Sequence, residues 1–310
     1  MKTLTMTISS YLLANWQVLS GYFAEAKMDK WENDYRKKAE DIGHDEPWLT
    51  LIATRAMMGG KDDLSQQKRV DAFNALLRES GMENPPALDM TLDIQLEKQL
   101  PEILPYREIL RSKAFHYFPE SIRTIEEKRK KENASFEGPT HVDLVIIGRT
   151  GEKNICFVIE AKFNSDISKD ISYNPVRDQI IRNIDAAIDY QYDKEQKIRI
   201  DDFYFLLLTP KIFRTDRFGG NRKTSIEIFQ PQRSRLYCYK MDDYKAPENL
   251  KKALPHRWEF DKAYWSHVAS HIGWITFEDM YRFARQHETI LHTEETMIRE
   301  FLEERNMIEI

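Results

Sequence analysis

Three side chains near the middle of the chain, Asp143, Glu160 and Lys162, are of the types that hold a divalent cation and work beside it. They stand on two short β-branched apolar runs, HVDLVIIG (141–148) and NICFVIEAKF (154–163), with a glycine-containing connection between them. Such a pair of runs predicts a β-hairpin. Residues two apart on a strand share a face, so Glu160 and Lys162 project together. A turn centred between Gly151 and Glu152 sets Asp143 opposite Glu160. Directly opposed residues share a face, with Cβ atoms about 4.5–5.5 Å apart. All three groups then converge on one patch.

Two carboxylates held this close repel each other unless something compensates. Mg²⁺ would do so, since it takes oxygen ligands, commonly one or two carboxylates with water and substrate phosphate. The ion would acidify a water and neutralise charge on a scissile phosphate. Lys162 would position or deprotonate that water and shield the developing charge. These parts suffice for phosphodiester hydrolysis. An ordinary ion-pair cluster at a sheet edge would use the same three residues. The tripeptide EAK does not decide between the two, because it recurs at Glu25–Lys27 inside an expected helix. The context separates them: an Asp on the preceding strand, a mirrored register and a capped helix directly after.

Around the hairpin, residues 174–192 are expected to form a helix capped by Asn174, with Pro175 in its first position. Its stripe Ile180, Ile184, Ala187 and Ile188 would pack on the sheet. DDFYFLLLTP (201–210) predicts a buried strand, and SIEIF (225–229) and RLYCYKM (235–241) add further strands. Residues 1–90 are expected to be helical, with the N-terminal stretch as the first helix. Residues 88–130 predict two or three more helices around Pro101, Pro105 and Pro119, ending in the solvated charge run 126–133. From 246 onward the chain turns helical again, with Thr276 and Asp279 as a capping box and Thr293 opening the last helix.

With these residues in place, segment 141–210 resembles the PD-(D/E)XK nuclease superfamily. The resemblance rests on Val142-Asp143, on Ile159–Lys162 and on the following helix with Gln179 and Arg182; Val142 replaces the proline of the pattern. It implies an α/β fold, a mixed central sheet flanked by helices (a restriction-endonuclease-like core). It also implies Asp143, Glu160 and the Ala161 carbonyl as Mg²⁺ ligands, with Mn²⁺ as a substitute, and Lys162 as the catalytic lysine. Gln179 and Arg182, three residues apart on one helical face, would reach the same site. Many members add an acid from a helix before the Asp strand. Glu97 is the expected counterpart, with Glu102 behind it. Members cut DNA, less often RNA, in restriction, repair and phage defence.

A basic stretch, 210–225, carries Lys211, Arg214, Arg217, Arg222 and Lys223 with interleaved Phe213 and Phe218, a pattern suited to a phosphate backbone. The net charge of −5 means that any such surface is local. Two cysteines exclude a disulfide framework or a Cys-rich zinc site and fit a reducing, cytoplasmic setting. Cys156 is expected in the core. No apolar run reaches the roughly 20 residues of a membrane-spanning helix, and no P-loop or dinucleotide fingerprint is present. His267 and His271, spaced i, i+4, lack the glutamate of a metalloprotease motif and read as surface or core residues. The expected organisation is a helical segment 1–87, a nuclease-like core 88–245 and a helical segment 246–310. The expected function is Mg²⁺-dependent hydrolysis of DNA, by a protein without a membrane partner and compatible with a homodimer. The alternative is an inactive nuclease-fold module that binds nucleic acid or a partner protein.

Overall fold

The computed structural model describes residues 46–58, 66–101, 103, 139–163, 165–168, 177–214, 235–290, 295–296, 299 and 303. Two helices come first, α1 (Glu46–Met58) and α2 (Gln66–Arg78). Strand β1 (Met90–Gln99) follows, where helix was expected. The period of two in Leu92, Ile94 and Leu96 is the signal that outweighs the helical reading. The polar residues Asp93, Gln95 and Lys98 are buried too, near Asp193, which takes Tyr190 Oη at 2.6 Å and Lys98 Nζ at 3.4 Å.

Strands β2 (His141–Thr150) and β3 (Lys153–Ala161) form the hairpin, paired from Thr150↔Lys153 to Leu144↔Ile159. This is the register expected from a turn centred on 151/152. Gly151 carries φ 57°, at the position where a II′ turn takes glycine. Helix α3 (Gln179–Asp189) begins later than expected, because Asp178 caps it by accepting from Ile181 N at 3.0 Å. Asn174 and Pro175 lie outside the described residues.

A short ladder of β4 (Tyr192–Asp193) and β5 (Ile198–Arg199) leads to β6 (Asp202–Thr209), which joins β3 in parallel. Residues 235–241, expected as strand, lie largely in helix α4 (Leu236–Tyr244). Buried Tyr237, Cys238, Met241 and Tyr244 follow the helical period. Helices α5 (Pro247–Ala253) and α6 (Lys262–Ser270) follow. Then comes a strand inside the stretch expected to be helical: β7 (Ile272–Thr276), parallel to β6. Gly273 lets it approach, since a Cβ there would stand 2.7 Å from Leu206 Cδ2. Thr276 caps α7 (Phe277–Gln286) by accepting from Asp279 N at 3.0 Å, as expected.

The result is an α/β fold with a five-stranded mixed sheet, order β1-β2-β3-β6-β7, flanked by helices. One face packs Leu144, Ile146, Phe157, Ile159 and Leu206 under α1, α2 and α7. The other packs Val145, Ile147, Val158, Phe205 and Leu207 under α3 to α6. Both faces are covered, so the central strands read as near-continuous apolar runs. The sheet does not end at residue 245, since β7 completes it. The N-terminal helices are one of its covering layers. No helix among the described residues is long and apolar enough to cross a membrane.

Candidate functional site

The site lies where two strands part. Strand β2 stays paired with β1 down to Gln99↔His141, but its pairing with β3 stops at Leu144↔Ile159. Strand β3 continues along β6 to Ala161↔Leu208, and Lys162 N donates to Leu208 O at 2.8 Å. At the fork Asp143 Oδ2, a side-chain atom, accepts from Ala161 N at 2.7 Å. The N–H and carbonyl of one strand residue leave on the same edge, so the Ala161 carbonyl also faces the Asp143 side.

Glu160, 1% exposed, is the centre of the polar network. Its Oε1 meets Lys162 Nζ at 2.6 Å and Gln179 Nε2 at 2.5 Å, and its Oε2 accepts from Asn183 Nδ2 at 2.6 Å. Thr140 Oγ1 donates to Asn183 Oδ1 at 3.1 Å, which fixes the amide with its NH₂ toward Glu160. Helix α3 thus delivers two amides, four residues apart, onto one carboxylate. Buried Lys162 also reaches Glu46 Oε1 at 3.2 Å. Glu46, the first residue of α1, accepts from Phe163 N at 2.8 Å and Ser165 Oγ at 2.7 Å through its other oxygen.

Burial, then repulsion from Glu160, holds the Asp143 carboxyl well above the usual carboxylate range, against the pull of Lys162. Burial also raises Glu160, although Lys162 and Asn183 pull it down. Burial pushes Lys162 down, but Glu160, Asp143 and Glu46 together carry it above the usual lysine value. The site is therefore short of positive charge. A carboxylate offers about four acceptor positions, and the three donors leave Glu160 capacity for one more partner. Two carboxylates and a carbonyl edge form an all-oxygen set that fits a hard divalent ion such as Mg²⁺.

No family model, curated protein or solved structure matches the chain.

The remaining expected residues divide. Gln179 reaches Glu160, whereas Arg182 turns to the rim and donates from NH2 to Pro139 O at 3.3 Å. Glu97 is on strand β1, not on a helix. It falls between the Leu96↔Leu144 and Lys98↔Val142 pairs, opposite Asp143, with φ 53°. Positive φ in a non-glycine residue is costly and clusters at functional sites. The helical acid that does reach the trio is Glu46, which no sequence signal short of tertiary contact marks out. Asn183, at i+4 from Gln179, is a further member of the network, and helical spacing is the sequence signal that marks it. Glu102 lies outside the described residues.

Of the basic stretch, Lys211 and Arg214 are among the described residues. Arg214 is buried, with NH1 3.1 Å from Asp279 Oδ2 and NH2 donating to Glu79 O, so it neutralises the protein's own acid. Lys211 lies in a single 3₁₀ turn (Lys211–Phe213), and Arg217, Arg222 and Lys223 lie outside the described residues.

Proposed function

We propose that the chain is a Mg²⁺-dependent nuclease with a restriction-endonuclease-like core, which hydrolyses phosphodiester bonds, with DNA as the substrate. The observation that carries this reading is the convergence of Asp143, Glu160 and Lys162 at the strand fork, with Gln179 and Asn183 braced on Glu160. When bound, the ion supplies an acidified water and neutralises charge on the scissile phosphate. Asp143, Glu160 and the Ala161 carbonyl would hold it.

The other steps belong to the chain's own groups. Gln179 and Asn183 fix the plane of Glu160, so one carboxylate edge faces the fork. Lys162 stays protonated beside three acids, because their combined pull exceeds the effect of burial. It therefore acts as a fixed cation that orients the attacking water and stabilises charge developing on phosphate, rather than as a base. Substrate phosphate would draw Lys162 away from Glu46, whose contact at 3.2 Å is longer than the 2.6 Å contact to Glu160.

The test is incubation of the full chain with plasmid, linear and single-stranded DNA and with RNA, under Mg²⁺ or Mn²⁺, beside Lys162→Ala. Cutting by the parent and none by the variant supports the reading. Equal cutting by both identifies a contaminant. Binding of DNA without cutting under either ion overturns the enzymatic reading in favour of an inactive nuclease-fold module.

A further inference from the structure

We infer that Asp202, His267 and His271 form a second metal site, one that takes a transition-metal ion of the Zn²⁺ class with an exchangeable position open to a neighbouring cleft. The inference is independent of the nuclease reading. Asp202 pairs with Ile155 at the start of the β3–β6 ladder, and Ala161 pairs with Leu208 at its end. At about 3.3 Å per residue the two sites are roughly 20 Å apart, at opposite ends of the sheet.

The geometry is already close to that of a tetrahedral ion. Bonds of about 2.0–2.1 Å hold tetrahedral donors about 3.3–3.4 Å apart. His267 Nε2 lies 3.3 Å from Asp202 Oδ1, and His271 Nδ1 lies 3.5 Å from the same oxygen. One donor atom from each of the three residues falls within 4.8 Å of the others. The two rings are 4.0 Å apart, because His267 near the end of α6 and His271 just after it stand four residues apart on one side. That spacing places two imidazoles on one ion. The site is firm on one side: His271 is buried, and its ring stacks on Tyr204 at 4.0 Å. The other side can adjust, since the His267 side chain is 49% exposed and its rotation closes the remaining donor–donor gap.

Two imidazoles and a carboxylate suit zinc, copper or nickel rather than magnesium, which prefers oxygen. His271 Nδ1 also lies 2.9 Å from Phe203 O. A carbonyl only accepts, so in the metal-free protein Nδ1 carries the hydrogen; as a ligand through Nδ1, His271 takes the other neutral tautomer, with the hydrogen on Nε2. Asp202 and His267 both line a cleft of about 730 Å³, walled by Tyr192, Arg199 and Tyr264. Three protein ligands beside such a cleft leave the fourth position for water or a small donor ligand.

The experiment is calorimetric titration of the EDTA-stripped full chain with ZnCl₂ and with MgCl₂, together with the visible spectrum after adding Co²⁺. The expected result is one Zn²⁺ equivalent and the strong absorption of four-coordinate Co²⁺, both retained in Asp143→Asn. His267→Ala, at a half-exposed position that leaves the fold intact by circular dichroism, weakens Zn²⁺ by more than the roughly 10–100-fold that outer-shell changes cost. Asp202→Asn gives the same direction. Undiminished Zn²⁺ binding in His267→Ala, or loss of all Zn²⁺ binding in Asp143→Asn, overturns the assignment.

Discussion

Replacing Asp143 with Asn separates a metal-binding site from a structural ion-pair cluster, because the two predict opposite signs. Asp143 stands one step beyond the last ladder pair, Leu144↔Ile159, and its charged neighbours are Glu160, Lys162 and Glu46. Two like unit charges about 5 Å apart repel by about 3 kcal/mol at an effective dielectric of 20. Attraction to Lys162 offsets only part of this, since burial and Glu160 together keep the Asp143 carboxyl raised. The Asn amide oxygen still accepts from Ala161 N, so the hydrogen bond survives while the charge is removed. Asp143 is half-buried, and solvent screening reduces the gain. The variant is expected to be more stable than the parent by about 1–2 kcal/mol in EDTA near neutral pH.

With metal the order reverses. An ion at 100 times its dissociation constant stabilises the parent by about 2.7 kcal/mol, and the variant, lacking a ligand, gains little. Urea denaturation of both proteins in EDTA and in Mn²⁺ measures all four stabilities. A variant less stable than the parent in EDTA, with an intact Mn²⁺ response, would refute the reasoning and leave an ordinary ion pair.

Other outcomes follow from the same network. Lys162→Met leaves Glu160 and Glu46 without their shared cation and is expected to cost about 3–5 kcal/mol as well as cleavage, read by urea denaturation and a plasmid assay. Asp185 is fully buried among Arg177 at 2.7 Å, His256 at 2.9 Å and Arg257 at 2.8 Å; despite burial, these neighbours hold its carboxyl far below the usual range. Asp185→Ala strands them and is expected to destabilise by about 3–5 kcal/mol in urea, without altering metal response at Asp143. Burial pushes Glu278 from 4.5 up to about 8, so its protonated form is favoured by folding. That stabilisation is complete below about pH 4.5 and is lost as pH rises through about 8. Glu278→Gln should flatten the melting temperature against pH between about pH 5 and pH 9, and an unchanged slope would count against it.

The hairpin was legible because its information is local: strand period, a turn glycine and equal distances from the turn fix which residues oppose. The cap at Thr276 was legible for the same reason. Strand β1 was hidden because Asp93, Gln95 and Lys98 are polar yet buried: Gln95 bonds Asp93 beside it, and Gln95 and Lys98 meet Asp193 about a hundred residues later. Strand β7 was hidden because five residues between two helices carry little periodicity, and its place is set by β6. Arg214 looked like a phosphate contact because sequence cannot tell an exposed cation from one that neutralises a buried acid. Glu46 escaped for a related reason: it lies more than a hundred residues from Lys162, and only folding brings them to 3.2 Å.

The fork explains why these acids stand where they do. Had β2 continued its ladder past Leu144, the Ala161 N–H would have bonded to β2 backbone and its carbonyl would have been consumed as well. Asp143 takes over that N–H with a side chain, so the strands part while this donor stays satisfied. Opposite it, Glu97 departs to φ 53° at the place where β1 follows β2 away from β3. The alternation of β2 changes at the same point: Val142 packs with the α3 side, whereas Leu144 and Ile146 pack with the other. These three departures from ideal strand geometry fall at, beside or opposite Asp143. A sheet optimised for stability alone would have closed this gap with ladder hydrogen bonds. Leaving it open, lined by two acids and a carbonyl edge and braced by two amides, has a physical rationale when a cation and a phosphate are to enter there.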